Sequence, residues 1–299
     1  MRIGYPCVNT SLGCSSSHTF RLASYSEEKL VLTVRSNLDC LKRILNFNAQ
    51  NGILFFRITS DLVPFASHPI NTFDWAGHFS EDFSELGRMV RESGMRISMH
   101  PDQFVLINAK DEGVFRRSVM ELDYHVKVLD LMALDASAKV QIHLGGVYND
   151  RESSIRRFVD RYKELDHVIK RRLVVENDDV NYGLADCLDV SRMTGLPVIF
   201  DSFHHSLKGN GESLAECLEK SARTWRADDG IPMVDYSSHA PGQNGRKHAP
   251  TLDEGHFRRF LEDSRPFDFD LMLEIKDKER SALRALRMAS ADPRFCRQG

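Results

Sequence analysis

Short apolar runs alternate with longer stretches of helical period along the whole chain. The runs cover residues 2–6, 53–58, 96–100, 140–144, 173–176, 197–201, 233–236 and 271–275. Several are β-branched or aromatic, and all are too short for helices. They read as strands buried on both faces of a parallel sheet. Between them, Leu30, Val34, Leu38, Leu41 and Leu45 lay an apolar stripe on one helix face, and Phe115, Val119, Leu122, Val126 and Leu129 lay another. Ser24-Tyr25-Ser26-Glu27 predicts a capping-box start for the first of these helices, and Asn51-Gly52 its stop. Further helices are predicted over 81–93, 152–170, 184–194, 212–224, 254–264 and 278–289.

Eight strands, each followed by a helix, in 299 residues is the arithmetic of an α/β chain folded as a (β/α)8 TIM barrel. An open, doubly wound sheet is the alternative. It normally carries a glycine-rich phosphate turn after the first strand, and Tyr5-Pro6-Cys7-Val8-Asn9 has no such glycines. No linker, charge block or internal repeat marks a boundary, so a single domain over 1–299 is expected.

Composition changes this picture little: 41% hydrophobic and 28% charged residues are ordinary for a globular chain. The start of the chain lacks a long apolar segment, and no run reaches the length of a membrane span, so a cytoplasmic protein is expected; a monomer is a separate expectation. The six cysteines are scattered with no C-x-x-C among them. A disulfide scaffold is therefore not expected, and a cysteine zinc site has no support. Cys7 and Cys14 read as structural thiols, Trp75 and Trp225 as packing residues. The net charge of −3 argues against nucleic acid, but it conceals the basic runs Lys170-Arg171-Arg172 and Arg246-Lys247-His248. Charge alone decides nothing here.

The chemistry lies at the strand ends. His100, His143, Glu176, Asp201, Asp235 and Glu274 end or closely follow successive runs, His204 comes just beyond Asp201, and His248 lies after the seventh strand. A lone His or Asp at such a place is more often a hydrogen-bonded structural residue. A series is different, because the C-terminal strand ends of a barrel converge on one mouth. Four carboxylates and four histidines around one cavity repel or stay unpaired unless cations are present. Imidazole and carboxylate donors without thiolate suit Zn²⁺, Mn²⁺ or Fe²⁺. Four carboxylates satisfy one ion, and the surplus histidines imply two or three. Clustered ions suit phosphodiester hydrolysis, with Glu176 as the expected shared carboxylate.

At these residues the sequence resembles the UV-damage endonuclease family, relatives of endonuclease IV among the xylose-isomerase-like barrels. The matching stretches are Gly4-Tyr5-Pro6-Cys7, Asn9, Phe56-Arg57-Ile58, Pro64-Phe65-Ala66-Ser67-His68-Pro69, Ser98-Met99-His100-Pro101, His143-Leu144-Gly145-Gly146, Glu176-Asn177-Asp178, Asp201-Ser202-Phe203-His204-His205 and Glu274-Ile275-Lys276. They span nearly the whole chain. The resemblance implies an endonuclease that nicks damaged double-stranded DNA immediately 5′ of a UV photolesion and leaves a 3′-hydroxyl, with Mn²⁺ as the working metal and Zn²⁺ as an alternative. By the same resemblance, His100, His143 and Glu176 serve one ion, Asp201 and Glu274 join Glu176 at a second, and His204 and His248 serve a third. Gln103 and Phe104 are the lesion probe, and Tyr5, Asn9 and His68 line the same mouth, Tyr5 beside a flipped nucleotide. Phe104 as a packed loop aromatic and Tyr5 as a core ring remain competing readings. Two positions depart from the pattern: Asp235 stands where these barrels usually offer His, and Met233 where relatives can carry Lys.

Two other functional classes compete. A sugar isomerase or epimerase of the same fold needs one metal, and a non-catalytic damage-binding protein needs none. About three ions per chain favour the nuclease.

Overall fold

Seven of the eight strands are buried at every residue, and the fourth opens only at His143. Strands of that kind need cover on both faces. In the computed structural model, which describes residues 1–240 and 245–296, they obtain it by closing into a parallel barrel in chain order. The strands are β1 (Ile3–Pro6), β2 (Phe55–Ile58), β3 (Arg96–Met99), β4 (Lys139–His143), β5 (Leu173–Glu176), β6 (Val198–Asp201), β7 (Met233–Tyr236) and β8 (Asp270–Leu273). The surrounding helices are α1 (Glu27–Gln50), α2 (Ser80–Ser93), α3 (Glu112–Leu131), α4 (Arg151–Glu164), α5 (Leu184–Thr194), α6 (Leu214–Ala222), α7 (Glu254–Asp263) and α8 (Glu279–Ala289). This is the expected single (β/α)8 barrel. The span expected for it, 1–299, also includes 241–244 and 297–299, which lie outside the described residues.

Side chains alternate along a strand, and that alternation builds the site. Phe55, Val174, Ile199, Met233 and Met272 form their own apolar cluster, separate from the core between sheet and helices. Arg57, Glu176, Asp201 and Asp235 stand two residues further along the same strands, and Glu274, two beyond Met272, directly follows β8. The apolar plug is thus the floor of a polar chamber. Met233, one of the two departures from the family pattern, belongs to this floor and is fully buried. Trp225 packs on the plug and donates its indole N–H to the Val198 carbonyl at 2.9 Å, a packing role as expected. Trp75 is buried in the main core.

The helix boundaries differ in instructive places. Ser26, not Ser24, caps α1: its hydroxyl accepts from the Lys29 amide at 3.2 Å, while Leu22–Ser24 forms a separate 3-10 turn. Glu27 and Glu28 then sit in the first turn, where the helix dipole favours them. The stretch 152–170 is not one helix. It breaks at Leu165, and Asp166 caps the short turn His167–Lys170. The helix expected over 212–224 begins at Leu214, because Ser213 and Glu216 form a reciprocal capping box.

One expectation about the cysteines is overturned. Cys14 is not a free thiol; it forms a disulfide with Cys40 and ties the first loop to α1. The partners lie 26 residues apart, so no short motif announces the pairing. Cys7 is a free, half-buried thiol. No helix among the described residues is long and apolar enough to cross a membrane.

Candidate active site at the barrel mouth

Glu176 ends β5 and is 1% exposed. Strand register sets His143 directly beside it and Asp201 beside Asp235. The two Glu176 oxygens face different partners. Oε2 is 3.3 Å from His100 Nε2 and 3.8 Å from His143 Nε2. Oε1 is 3.2 Å from His204 Nδ1, which also lies 3.5 Å from Asp201 Oδ2. Two groups of ligand atoms, each within 4.8 Å of one another, therefore share one carboxylate: His100, His143 and Glu176, and Glu176, Asp201 and His204. His204 approaches Glu176 and Asp201 through Nδ1, the nitrogen that also meets the Asn177 carbonyl at 2.9 Å. His248 stands apart; its ring centre is 6.4 Å from that of His204, and its Nδ1 lies 2.7 Å from the Glu274 carbonyl.

Backbone carbonyls orient three of the four imidazoles. The Nδ1 atoms of His100, His204 and His248 meet the carbonyls of Pro101, Asn177 and Glu274 at 2.8, 2.9 and 2.7 Å. Such contacts fix ring direction and tautomer in metal sites. A short helix, Ser202–Lys208, carries His204 and is capped by Asp201, whose Oδ1 accepts the His204 amide at 2.7 Å. Gly145 (φ +93°) follows the β4 end, where a Cβ would meet the Asn108 carboxamide oxygen at 2.4 Å. That carboxamide bonds to Gly146 through both its ends and shapes the wall beside His143.

Sequence reasoning overlooked two residues at the centre. Arg57, 3% exposed on β2, donates to Glu274, to Asp235 Oδ2 at 2.7 Å and to Gln141 Oε1 at 2.9 Å. Gln141 donates in turn to Glu176 and to Asp235 Oδ2 at 2.6 Å. A cation inside the apolar strand Phe55–Ile58 was the available signal, because a buried Arg needs a carboxylate partner. Asp235 is therefore held by Arg57 and Gln141, and it belongs to neither ligand group.

The ionisation pattern shows how far this chamber falls short of positive charge. Burial pushes the Asp201 carboxyl well above its ordinary range; His204 opposes the shift, and Glu176, Glu274 and Asp235 add to it. Burial also raises Asp235 to about 6 despite Arg57. Glu176 goes the other way, since His143, His100 and His204 outweigh its burial and hold it well below the usual range. His204 rises to about 11, because Asp201 and Glu176 overcome its burial. The chamber thus holds more carboxylate than its own cations balance, an imbalance that divalent ions would relieve. Asp201 Oδ2, Asp235 Oδ1 and His143 Nδ1 are buried without a hydrogen-bond partner, as is Arg57 Nε. The set consists of oxygen and nitrogen donors arranged around a shared carboxylate, and it fits divalent ions of the Mn²⁺ or Zn²⁺ kind.

Three cavities open at the mouth, divided by the loop after His100. One of about 530 Å³ is lined by His100, Gln103, His143 and His204. A second of about 690 Å³ is lined by Phe65, His68, Phe104 and Arg117. A third of about 680 Å³ is lined by Arg57, Gln103, Phe104, Glu274, Lys276 and Lys278. Asp102 borders all three. Phe104 is 75% exposed, so it is not a packed loop aromatic. His68 lines the second of these cavities. Tyr5 and Asn9, expected at the mouth, line none of the three. Tyr5 is fully buried against Phe56, its hydroxyl donates to Asn48 Oδ1 at 2.8 Å, and Asn9 donates to that hydroxyl at 2.9 Å. The ring belongs to the packing between β1 and α1.

The family model of the UV-endonuclease UvdE matches residues 1–293. The chain belongs to the UV-endonuclease family. A UV DNA damage endonuclease of Clostridium perfringens (strain 13 / Type A) is 35% identical over 288 residues, 96% of this chain and 70% of its own length. That of Bacillus cereus (strain Q1) is 33% identical over 301 residues, 97% and 95% of the two chains. The crystal structure of SacUVDE superposes with a TM-score of 0.94 at 44% identity, covering 99% of this chain and all of that one (100%). Membership of the UV-endonuclease family places the chain among DNA-repair nucleases and sets aside the isomerase and the non-catalytic binder.

Proposed function

We propose that the chain nicks double-stranded DNA immediately 5′ of UV photolesions by metal-dependent phosphodiester hydrolysis, leaving a 3′-hydroxyl, and that it acts as a monomer. The observation that carries this is the carboxylate of Glu176, whose two oxygens serve two separate ligand groups. His100, His143 and Glu176 hold one ion, and Glu176, Asp201 and His204 a second. Glu274 and His248 form the wall where a third is held, with Asp235 behind them beside Arg57. Mn²⁺ is the working ion that the family resemblance implies, and imidazole and carboxylate donors without thiolate accommodate it. When bound, such ions acidify coordinated water and neutralise charge on the scissile phosphate.

The side chains do the rest. Arg57 and Gln141 keep the carboxylates at fixed separation. Lys276 and Lys278, at the edge of the third cavity, meet phosphate despite the net charge of −3. Gln103 and Phe104 stand between the cavities and enter the base stack where a photodimer has weakened it. His68 lines the neighbouring cavity, on the side that receives the displaced bases.

A defined photodimer duplex, end-labelled on the damaged strand, tests the proposal. One cut at the 5′ side of the lesion is expected, abolished by a chelator and restored by Mn²⁺. Nicking by verified metal-free protein, or uniform cutting of undamaged duplex, overturns it.

A further inference from the structure

A second constellation of ligand-type side chains lies beyond β6, outside the chamber. His205 is on the short helix after β6, Glu212 on the following loop and Cys217 on α6. Cys217 Sγ stands 3.4 Å from His205 Nε2, and a carboxylate oxygen of Glu212 lies within 4.8 Å of both. A tetrahedral zinc ion with bonds of about 2.0–2.3 Å sets its donor atoms roughly 3.3–3.8 Å apart. The thiol–imidazole pair already has that spacing.

Ordinary hydrogen bonding does not account for the whole cluster. An S–H···N contact explains Cys217 and His205. Glu212 Oε1 is met by Lys220 Nζ at 2.7 Å, but Oε2 is buried with no partner. The imidazole is seated firmly: its ring lies 5.3 Å from that of Phe200, and a Cβ on Gly209 would come within 2.8 Å of Nε2. Burial, with Glu212 nearby, pushes the Cys217 thiol up to about 12, so only a bound cation would make it a thiolate here. The scattered cysteines gave no hint of this, because the three ligands come from a helix, a loop and the next helix.

We propose that His205, Glu212 and Cys217 form a separate zinc site with water as the fourth ligand. Its thiolate selects zinc, whereas the chamber has only oxygen and nitrogen donors. The ion ties the helix that carries His204 to α6, and so fixes the loop between them. None of its three ligands belongs to the ligand groups of the chamber.

Cobalt provides the test, because a sulfur-to-cobalt charge-transfer band in the near ultraviolet reports thiolate ligation alone. The full chain is stripped with chelator and titrated with Co²⁺. One cobalt–thiolate per chain is expected. Cys217→Ser should lose the band and bind one fewer equivalent of zinc. Glu212→Gln, a milder change on a partly exposed residue, should weaken zinc at this site at least about 10-fold while leaving far-ultraviolet circular dichroism unchanged. Absence of the band in the unmodified chain overturns the site. So does a band of full intensity in Cys217→Ser, or undiminished zinc affinity in Glu212→Gln.

Discussion

At the N-terminal end of the barrel, Asp270 accepts the Arg2 amide at 2.8 Å, the Arg2 guanidinium at 3.1 Å and the Arg96 guanidinium at 3.0 Å. Lys139, fully buried, meets Asp229 at 2.5 Å and the Arg171 carbonyl at 2.9 Å. Arg172 is equally buried, bonded to Asp130 and to the carbonyls of 134, 135 and 138. At the opposite end, Glu176, Asp201, Asp235 and Glu274 face one buried guanidinium among the described residues, that of Arg57, and several polar atoms stay unpartnered. One end is balanced by the chain itself, while the other is left for ligands to complete. The basic run Lys170-Arg171-Arg172 belongs to the balanced end and closes the fold. Arg246 and Lys247 adjoin the open end, and Lys276 and Lys278 line it. Net charge averages over both ends and describes neither.

The largest effect should come from the open end. Glu176→Gln should slow nicking by about 10²–10³-fold, the scale on which loss of one preorganised charge contact acts. Bound manganese, measured by mass spectrometry, should fall while the metal-free protein stays folded. Near-normal turnover would leave the shared carboxylate without its role.

The balanced end should answer in stability instead. Asp270→Ala strands Arg96, and breaking one half of a buried pair costs about 3–5 kcal/mol. Denaturant unfolding should show that loss, with metal content and nicking per folded molecule unchanged. A fall in nicking without a fall in stability would erase the division between the two ends.

Acid gives a finer separation. At the N-terminal end the Asp292 carboxyl is held at about 2 by its bonds from Arg294, so this contact survives well into acid. His125, on α3, is fully buried, and burial lowers it to about 4. The unfolded chain gains this proton near pH 6.5, so the stability tied to neutral His125 is present above pH 6.5 and lost as pH falls towards 4, by up to about 3 kcal/mol. His125→Gln should flatten the unfolding free energy over that window. An unchanged slope assigns the acid response to another group.

The smallest effect concerns Gln103 and Phe104. Replacing both by Ala should weaken binding to photodimer duplex by roughly one to two decades, since base–aromatic stacking is worth about 1–3 kcal/mol. Binding to an abasic duplex, already unstacked, should change less, and metal content and melting temperature should not move. Equal losses on both duplexes would remove the pair from recognition.

How legible this was in the sequence varied with the range of the interactions. Leu173–Glu176 and Met233–Tyr236 fall where the apolar runs put them, because an all-buried strand is defined by its own composition. The break at Leu165 was hidden, as no Gly or Pro marks it and Asp166 caps only the following turn. In the site, the strand-end acids and histidines could be read from position alone. The role of Arg57 could not, for its partners come from β4, β7 and β8. Tyr5 was misplaced for a related reason: its hydroxyl bonds to Asn48, 43 residues away on α1.

The apolar floor of Phe55, Val174, Ile199, Met233 and Met272 makes the chamber a vessel with one opening. Anything that reaches Glu176, whether ion, water or phosphate, enters from the mouth, the face proposed to meet DNA. Bound duplex is thereby also the stopper. A chelator should strip ions quickly from the free enzyme and slowly from the complex, and the order in which metal and DNA are added should decide how much active enzyme forms.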